Sequence, residues 1–320
     1  MNKPFWVNQF TLGSIVCALL AITILFAGCT TSQPTTVTPA TTVTVQPTTT
    51  TIVLTPVPTT AVPSTITAVA VTSTPVPTYT PSKSALIVYT AASLKGVSTK
   101  LGTQFSAVYP GHSAVFNLDG TQALKTQVEN GAYADVFISA SNTYTNTLKS
   151  EGYFINDTVK PLTTNYLIVI LPAANPGKIM TLADLAKPGV KIAMEDKTVP
   201  AGTATYAVLA NLAKSTYNQD WNKSVFSNVV TYETSEPGVA TKVSLGEVDA
   251  GFVYESTFTA APKDSYLAIT IPKADNYLQT YTIGVLKQTQ NTGAAQEFES
   301  FMLSSVGQQT LKDYGFRAVS

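Results

Sequence analysis

LIVYTAASLKGV, residues 86–97, joins a continuous apolar run to a helix-like pattern through the small residues Thr90, Ala91, Ala92 and Ser93. A run of Leu, Ile, Val and Tyr with no polar alternation reads as a strand buried on both faces, as in a parallel sheet. Such a strand ends without a room-filling side chain at the turn. That leaves space beyond its carboxyl end, where ligands bind in open α/β sheets.

The same alternation runs through the rest of the chain. Strand-like runs fall at 85–90, 113–118, 134–139, 166–171, 190–194, 228–232, 249–254, 267–271 and 281–286. Helix-like segments fall at 93–108, 121–130, 142–151, 181–186, 202–215, 237–246, 292–304 and 306–313. Strands separated by helices predict βαβ units, hence an α/β fold with mostly parallel sheets flanked by helices. There is no internal repeat.

Residues 85–320 hold all of these elements, and what precedes them differs in composition. Residues 1–28 carry one charge, Lys3, and an apolar core from Ile15 to Ala27. That core is short for a spanning helix and suits a signal peptide. It leads into LFAGC, which resembles a lipobox with Phe26 where an aliphatic residue is usual, so Cys29 is the expected lipid attachment point. Residues 29–84 then form a Thr/Pro-rich stalk behind that cysteine, too rich in proline for a helix and without alternation for a sheet. At about 3.1 Å per residue an extended stalk would reach on the order of 150 Å. The expected location is the cell surface or periplasm, on the outer face of the cytoplasmic membrane.

Composition excludes several function classes. Basic and acidic residues number 19 each, so no basic face offers itself to nucleic acid. The two cysteines, Cys17 and Cys29, both precede the folded part, which therefore has no disulfide and no thiolate metal site. The single histidine, His112, lies in a loop-like segment. No histidine cluster, Ser-His-Asp triad, Walker loop or dinucleotide fingerprint can be assembled, and no enzyme or cofactor is expected.

Four strand-to-helix turns carry what chemistry there is. Ser93 stands before the first helix, where the ordinary role is a helix cap. Gly120-Thr121 opens the second helix behind Asp119. Pro200-Ala201-Gly202 starts a helix with bare N–H groups and nothing bulky above them. Glu236-Pro237 starts another, and the strand after it ends at Tyr254. The adjacent acids Glu195 and Asp196 read as a turn or a helix cap. Neutral N–H and O–H donors at helix starts are what a small oxyanion needs, at about 1.5–3 kcal/mol for each bond to a charged group. A pocket made only of donors would favour a fully ionised tetrahedral dianion over a protonated one.

The motifs VYTAASLKG, QVENGAYADVFISAS, VPAGTATYA, LGEVDAGFVYES and GQQTLKDYGF occur in an order that resembles the molybdate-binding substrate proteins of ABC transporters. The resemblance covers about residues 85–317. It implies a two-lobed periplasmic-binding-protein type II fold with a hinge between lobes, the first about 85–164 and 278–320 and the second about 165–277. It implies molybdate or tungstate as ligand, an ABC permease and its ATPase as partners, and a monomer. It implies contacts from Ser93 and Thr121 through hydroxyl and N–H, from Ala201 and Glu236 through backbone N–H, and from Tyr254 through its phenol. Three positions depart from the pattern: Thr121 replaces a usual serine, Glu236 a small apolar residue, and Asp119 a small polar one. The expectation for Glu236 is a side chain turned to solvent. Another oxyanion such as sulfate is the alternative ligand. A stalked surface module that binds a glycan or partner is the alternative class, with Tyr144, Tyr153, Tyr217 and Tyr232 as its candidate aromatic platform.

Overall fold

The computed structural model describes residue 79 and residues 82–319. The signal segment, Cys29 and most of the stalk lie outside the described residues.

Ten strands and nine α-helices are described. The strands are β1 (Ala85–Ala91), β2 (Ser113–Asp119), β3 (Val136–Ser139), β4 (Lys160–Asn165), β5 (Leu167–Pro172), β6 (Ile192–Glu195), β7 (Val229–Glu233), β8 (Ala250–Tyr254), β9 (Tyr266–Thr270) and β10 (Gln279–Val285). The helices are α1 (Lys95–Val108), α2 (Thr121–Glu129), α3 (Asn142–Ser150), α4 (Pro200–Ser215), α5 (Gln219–Ser227), α6 (Glu236–Ser244), α7 (Glu255–Ala260), α8 (Thr292–Leu303) and α9 (Ser305–Asp313).

The strands form two five-stranded sheets, ordered β2-β1-β3-β10-β4 and β7-β6-β8-β5-β9. Each sheet with its helices is one lobe. β1 is central, parallel to β2 and β3, and every one of its residues after Ala85 is buried. In the second lobe β6 holds the matching place, parallel to β7 and β8.

The sheets are mixed rather than mostly parallel. β10 runs antiparallel to both β3 and β4, and β5 runs antiparallel to both β8 and β9. The reason lies in the crossings between lobes. β4 ends at Asn165 and β5 begins at Leu167, while β9 leads into β10 through residues 271–278, so strands rather than helices make the passage. Antiparallel pairing needs no crossover helix.

Each lobe has its own core. In the first, Leu86, Val88 and Leu101 pack with Phe298, Phe301 and Met302, so α8 and α9 fold back over the sheet that the chain left at β4. In the second, Val169, Met194 and Phe252 pack with Val208, Leu209 and Leu212 of α4. The 3.6-residue period of Ala204, Val208 and Leu212 lays one face of α4 on that sheet.

Three elements have no counterpart in the sequence reading. β4 starts with Lys160-Pro161, and a proline demotes a strand reading; the strand is at the edge of its sheet, where a missing N–H is tolerated. α5 buries only Trp221 and Val225, one turn apart, too few to show a period. α7 has six residues and buries only Ser256. The predicted helix at 181–186 is a 3₁₀ turn, Leu182–Ala186, closed by mutual capping between Thr181 and Asp184.

Candidate functional site

The ends of the parallel strands face each other across the lobes. Beyond β1 the chain makes a 3₁₀ turn, Ala92–Leu94, and beyond β2 it enters α2 directly. Across from these stand the starts of α4 and α6 and the end of β8. Helix starts leave N–H groups without intrahelical acceptors and carry the positive end of the helix dipole.

Ser93, Thr121, Ala201, Glu236 and Tyr254 line one cavity here, together with Glu195. The cavity has a volume of about 10 Å³, the room of roughly one water molecule. No Lys, Arg or His lines it. Among the described residues no group of three or more His, Cys, Asp or Glu is placed to hold a metal ion.

The first lobe presents two hydroxyls. Ser93 caps no helix; its Oγ lies 2.8 Å from the buried Tyr281 hydroxyl. When Tyr281 donates, the Ser93 proton is left for the cavity. Thr121 Oγ1 accepts from the Ala140 N–H at 3.1 Å, which orients the hydroxyl and leaves its proton to donate. Asp119 does not cap α2 through a helical N–H. It accepts from the Gly120 N–H at 2.7 Å, holding the turn before the helix.

The second lobe presents a phenol and two carboxyls. The Tyr254 hydroxyl donates to Gln279 Oε1 at 3.3 Å, a long bond that a better acceptor could replace. Burial raises its pKa well above the ordinary value, so it stays a donor. Pro200 at the start of α4 has no N–H. The next N–H, of Ala201, and that of Gly202 point to the buried carboxyl of Glu195, with Gly202 N–H at 3.1 Å from Oε2. Val199 is the residue before α4, while Glu195 accepts from the first turn of the helix and Asp196 holds the turn ahead of it through Thr198.

Glu236 departs from expectation. The residue is 3 % exposed and its carboxyl is not turned to solvent. Oε1 accepts from the Tyr254 N–H at 2.7 Å and from the Thr257 hydroxyl at 2.5 Å. Oε2 is buried without a hydrogen-bond partner. Glu236 is the first residue of α6, with Pro237 next, and its carboxyl is held over the end of β8 by the Tyr254 N–H and the Thr257 hydroxyl. Burial lifts its carboxyl to about 7, against the two bonds that lower it. Burial, then the nearness of Glu236, raises Glu195 well above the usual carboxylate range. The cavity is therefore not made of donors alone.

Direct bonds join the lobes beside it. Gln122 Nε2 donates to the Thr234 carbonyl at 2.9 Å, and the Tyr144 hydroxyl donates to the Thr198 carbonyl at 2.5 Å. Tyr144 is thus spent on an interlobe bond and Tyr217 stacks on Trp221 with centroids 4.2 Å apart, while Tyr232 is exposed. Tyr281 escaped sequence reading altogether. It meets Ser93 across 188 positions, a pairing no local pattern carries.

Residues 86–317 match the profile of a family described as bacterial extracellular solute-binding protein. The molybdate-binding protein ModA of Mycobacterium tuberculosis is 31 % identical over 238 residues, covering 74 % of this chain and 86 % of that protein. Among solved structures, the substrate-binding domain of a putative molybdenum ABC transporter from Clostridium difficile is 29 % identical with a TM-score of 0.57, covering 74 % of this chain and 99 % of that one. The periplasmic molybdate-binding protein of Azotobacter vinelandii has a TM-score of 0.64 at 22 % identity, covering 73 % and 100 %, a likeness of fold.

Proposed function

The chain belongs to the bacterial extracellular solute-binding proteins, extracytoplasmic binders rather than enzymes, and on that premise we propose that it captures a tetrahedral oxyanion, molybdate or tungstate, between its lobes and delivers it to an ABC permease. The observation that carries this reading is the convergence of Ser93, Thr121 and Tyr254 with three helix starts on one cavity that no cationic side chain lines. The hydroxyls and the N–H groups at the start of α2 then supply the attraction for the anion, since Glu195 already takes the Ala201 and Gly202 N–H groups of α4. The small cavity means that the lobes part slightly to admit a five-atom ion and close on it, closure being set by differential affinity. Lipid attachment at Cys29 and the tether behind it belong to the same reading, supported by the LFAGC sequence.

Calorimetric titration with molybdate, tungstate, sulfate and phosphate tests it. Submicromolar binding of molybdate or tungstate with far weaker sulfate is expected; binding of none of the four at any pH would defeat the reading. Ser93→Ala removes one charge-assisted bond and should weaken binding about 10- to 100-fold in the same titration. Gly120→Ala tests closure. A Cβ there would sit 2.7 Å from the Thr234 carbonyl oxygen of the other lobe. The lobes would be held apart, and the titration should show affinity about tenfold lower or worse while thermal stability changes little.

A further inference from the structure

Two buried carboxyl groups stand at a cavity read as an anion site. Two carboxylates and a dianion, with no cation among the lining residues, would place four negative charges in one desolvated space. Like charges at such distances cannot all persist out of water. Glu236 Oε2 gives the resolution: it is buried and partnerless, on a residue that lines the cavity. A carboxylate oxygen in that position has nothing to accept. A carboxylic acid O–H in that position has a ligand oxygen to meet.

We propose that the protein takes up a proton from solvent when it binds its oxyanion, and that the Glu236 carboxyl carries it, presenting Oε2–H to the anion beside the Tyr254 phenol. The inference rests on the oxyanion reading above. The step is a protonation only: the Glu236 carboxylate gains a proton and no bond of the anion breaks. Oε1 keeps the Tyr254 N–H and the Thr257 hydroxyl, which fixes the carboxyl plane and leaves Oε2 as the oxygen to protonate.

The surroundings of Glu236 are consistent from every side. β6 brings Glu195, which is anionic or neutral but never cationic. β8 brings Tyr254 and β10 brings Tyr281, both held protonated by burial. β5 and the 3₁₀ turn after β1 bring no ionisable side chain. β7 brings Glu233, which lies against Gly238 and accepts from Thr231. α6 itself carries Lys242, which is paired with Glu247. α7 brings Glu255, which is paired with Arg317. No counter-charge is available to keep Glu236 ionised against a dianion.

Titration of the protein with molybdate in buffers of different ionisation enthalpy reads the proton count. Uptake of about one proton per anion is expected at about pH 8.5, declining toward none at about pH 5.5, with Kd rising about tenfold per pH unit above about 7. Glu236→Gln places a neutral N–H donor where the acid O–H would be. It should abolish the uptake, flatten the pH profile and bind at about pH 8.5 at least as tightly as the unaltered protein. Binding without proton uptake, or loss of binding in Glu236→Gln with the fold intact by circular dichroism, would overturn the inference and leave the oxyanion reading standing. Absence of binding at every pH would instead remove the reading on which it rests.

Discussion

Gly202→Ala should both destabilise the protein and abolish its ligand binding. A Cβ on Gly202 would lie 1.9 Å from the Asp196 carbonyl oxygen, 2.6 Å from its carbon and 2.7 Å from the Glu195 carbonyl oxygen. All three are backbone atoms at the end of β6, so no rotamer change relieves the clash. The start of α4 must lift away from the sheet. That breaks the Gly202 N–H bond to Glu195, strands a carboxyl that is already 2 % exposed, and displaces Ala201 from the cavity wall. Overpacking of this kind costs about 3 kcal/mol, or roughly 6–12 °C in Tm for a domain of this size. Differential scanning calorimetry and the molybdate titration together check it. A Tm within a degree or two of the parent, with binding retained, would show that α4 does not start where the fold places it.

The second large effect is a pH dependence of the ligand-free protein. Glu236 goes from an ordinary carboxyl near 4.5 to about 7 on folding, chiefly by burial. A raised carboxyl means that the folded state holds the proton through a window in which the unfolded chain has released it. Stability therefore falls as pH rises from about 4.5 to about 7 and levels above that. The shift corresponds to about 3 kcal/mol, and Glu195, raised for the same first reason, acts in the same direction. Denaturant midpoints measured across this window should drop steadily, and Glu236→Gln should remove much of the slope. Flat or rising midpoints would mean that the carboxyl is ionised and solvated in the folded protein.

The second of these effects lies where the sequence was least legible. The continuous apolar run of β1, the small residues after it, and the period of α4 announced their elements because the signal is local. The hydroxyls of Ser93, Thr121 and Tyr254 were legible as candidates because a turn after a buried strand is where an α/β fold leaves room. Glu236 was legible as a position and not as a side chain. Whether a glutamate at a helix start points out or in depends on what packs against that start, here the Tyr254 N–H and the Thr257 hydroxyl, and those contacts are tertiary. Tyr281 reached the site only because the last strand of the first lobe returns after the whole second lobe. The antiparallel insertion of β5 and β10 was hidden for a related reason: a strand run does not state the direction of its neighbours. β4, with Pro161 near its start, could be a strand only at an edge, and edges are decided by the finished sheet.

An oxyanion bound as proposed would sit between the lobes on Ser93, Thr121 and Tyr254. The most direct measurement is a crystal structure of the protein grown with molybdate, with diffraction recorded at the molybdenum absorption edge. One strong anomalous peak is expected in the cavity, with oxygens in hydrogen-bond reach of those three hydroxyls and of Glu236 Oε2. A peak only elsewhere on the surface, or none with the anion in excess, would contradict it.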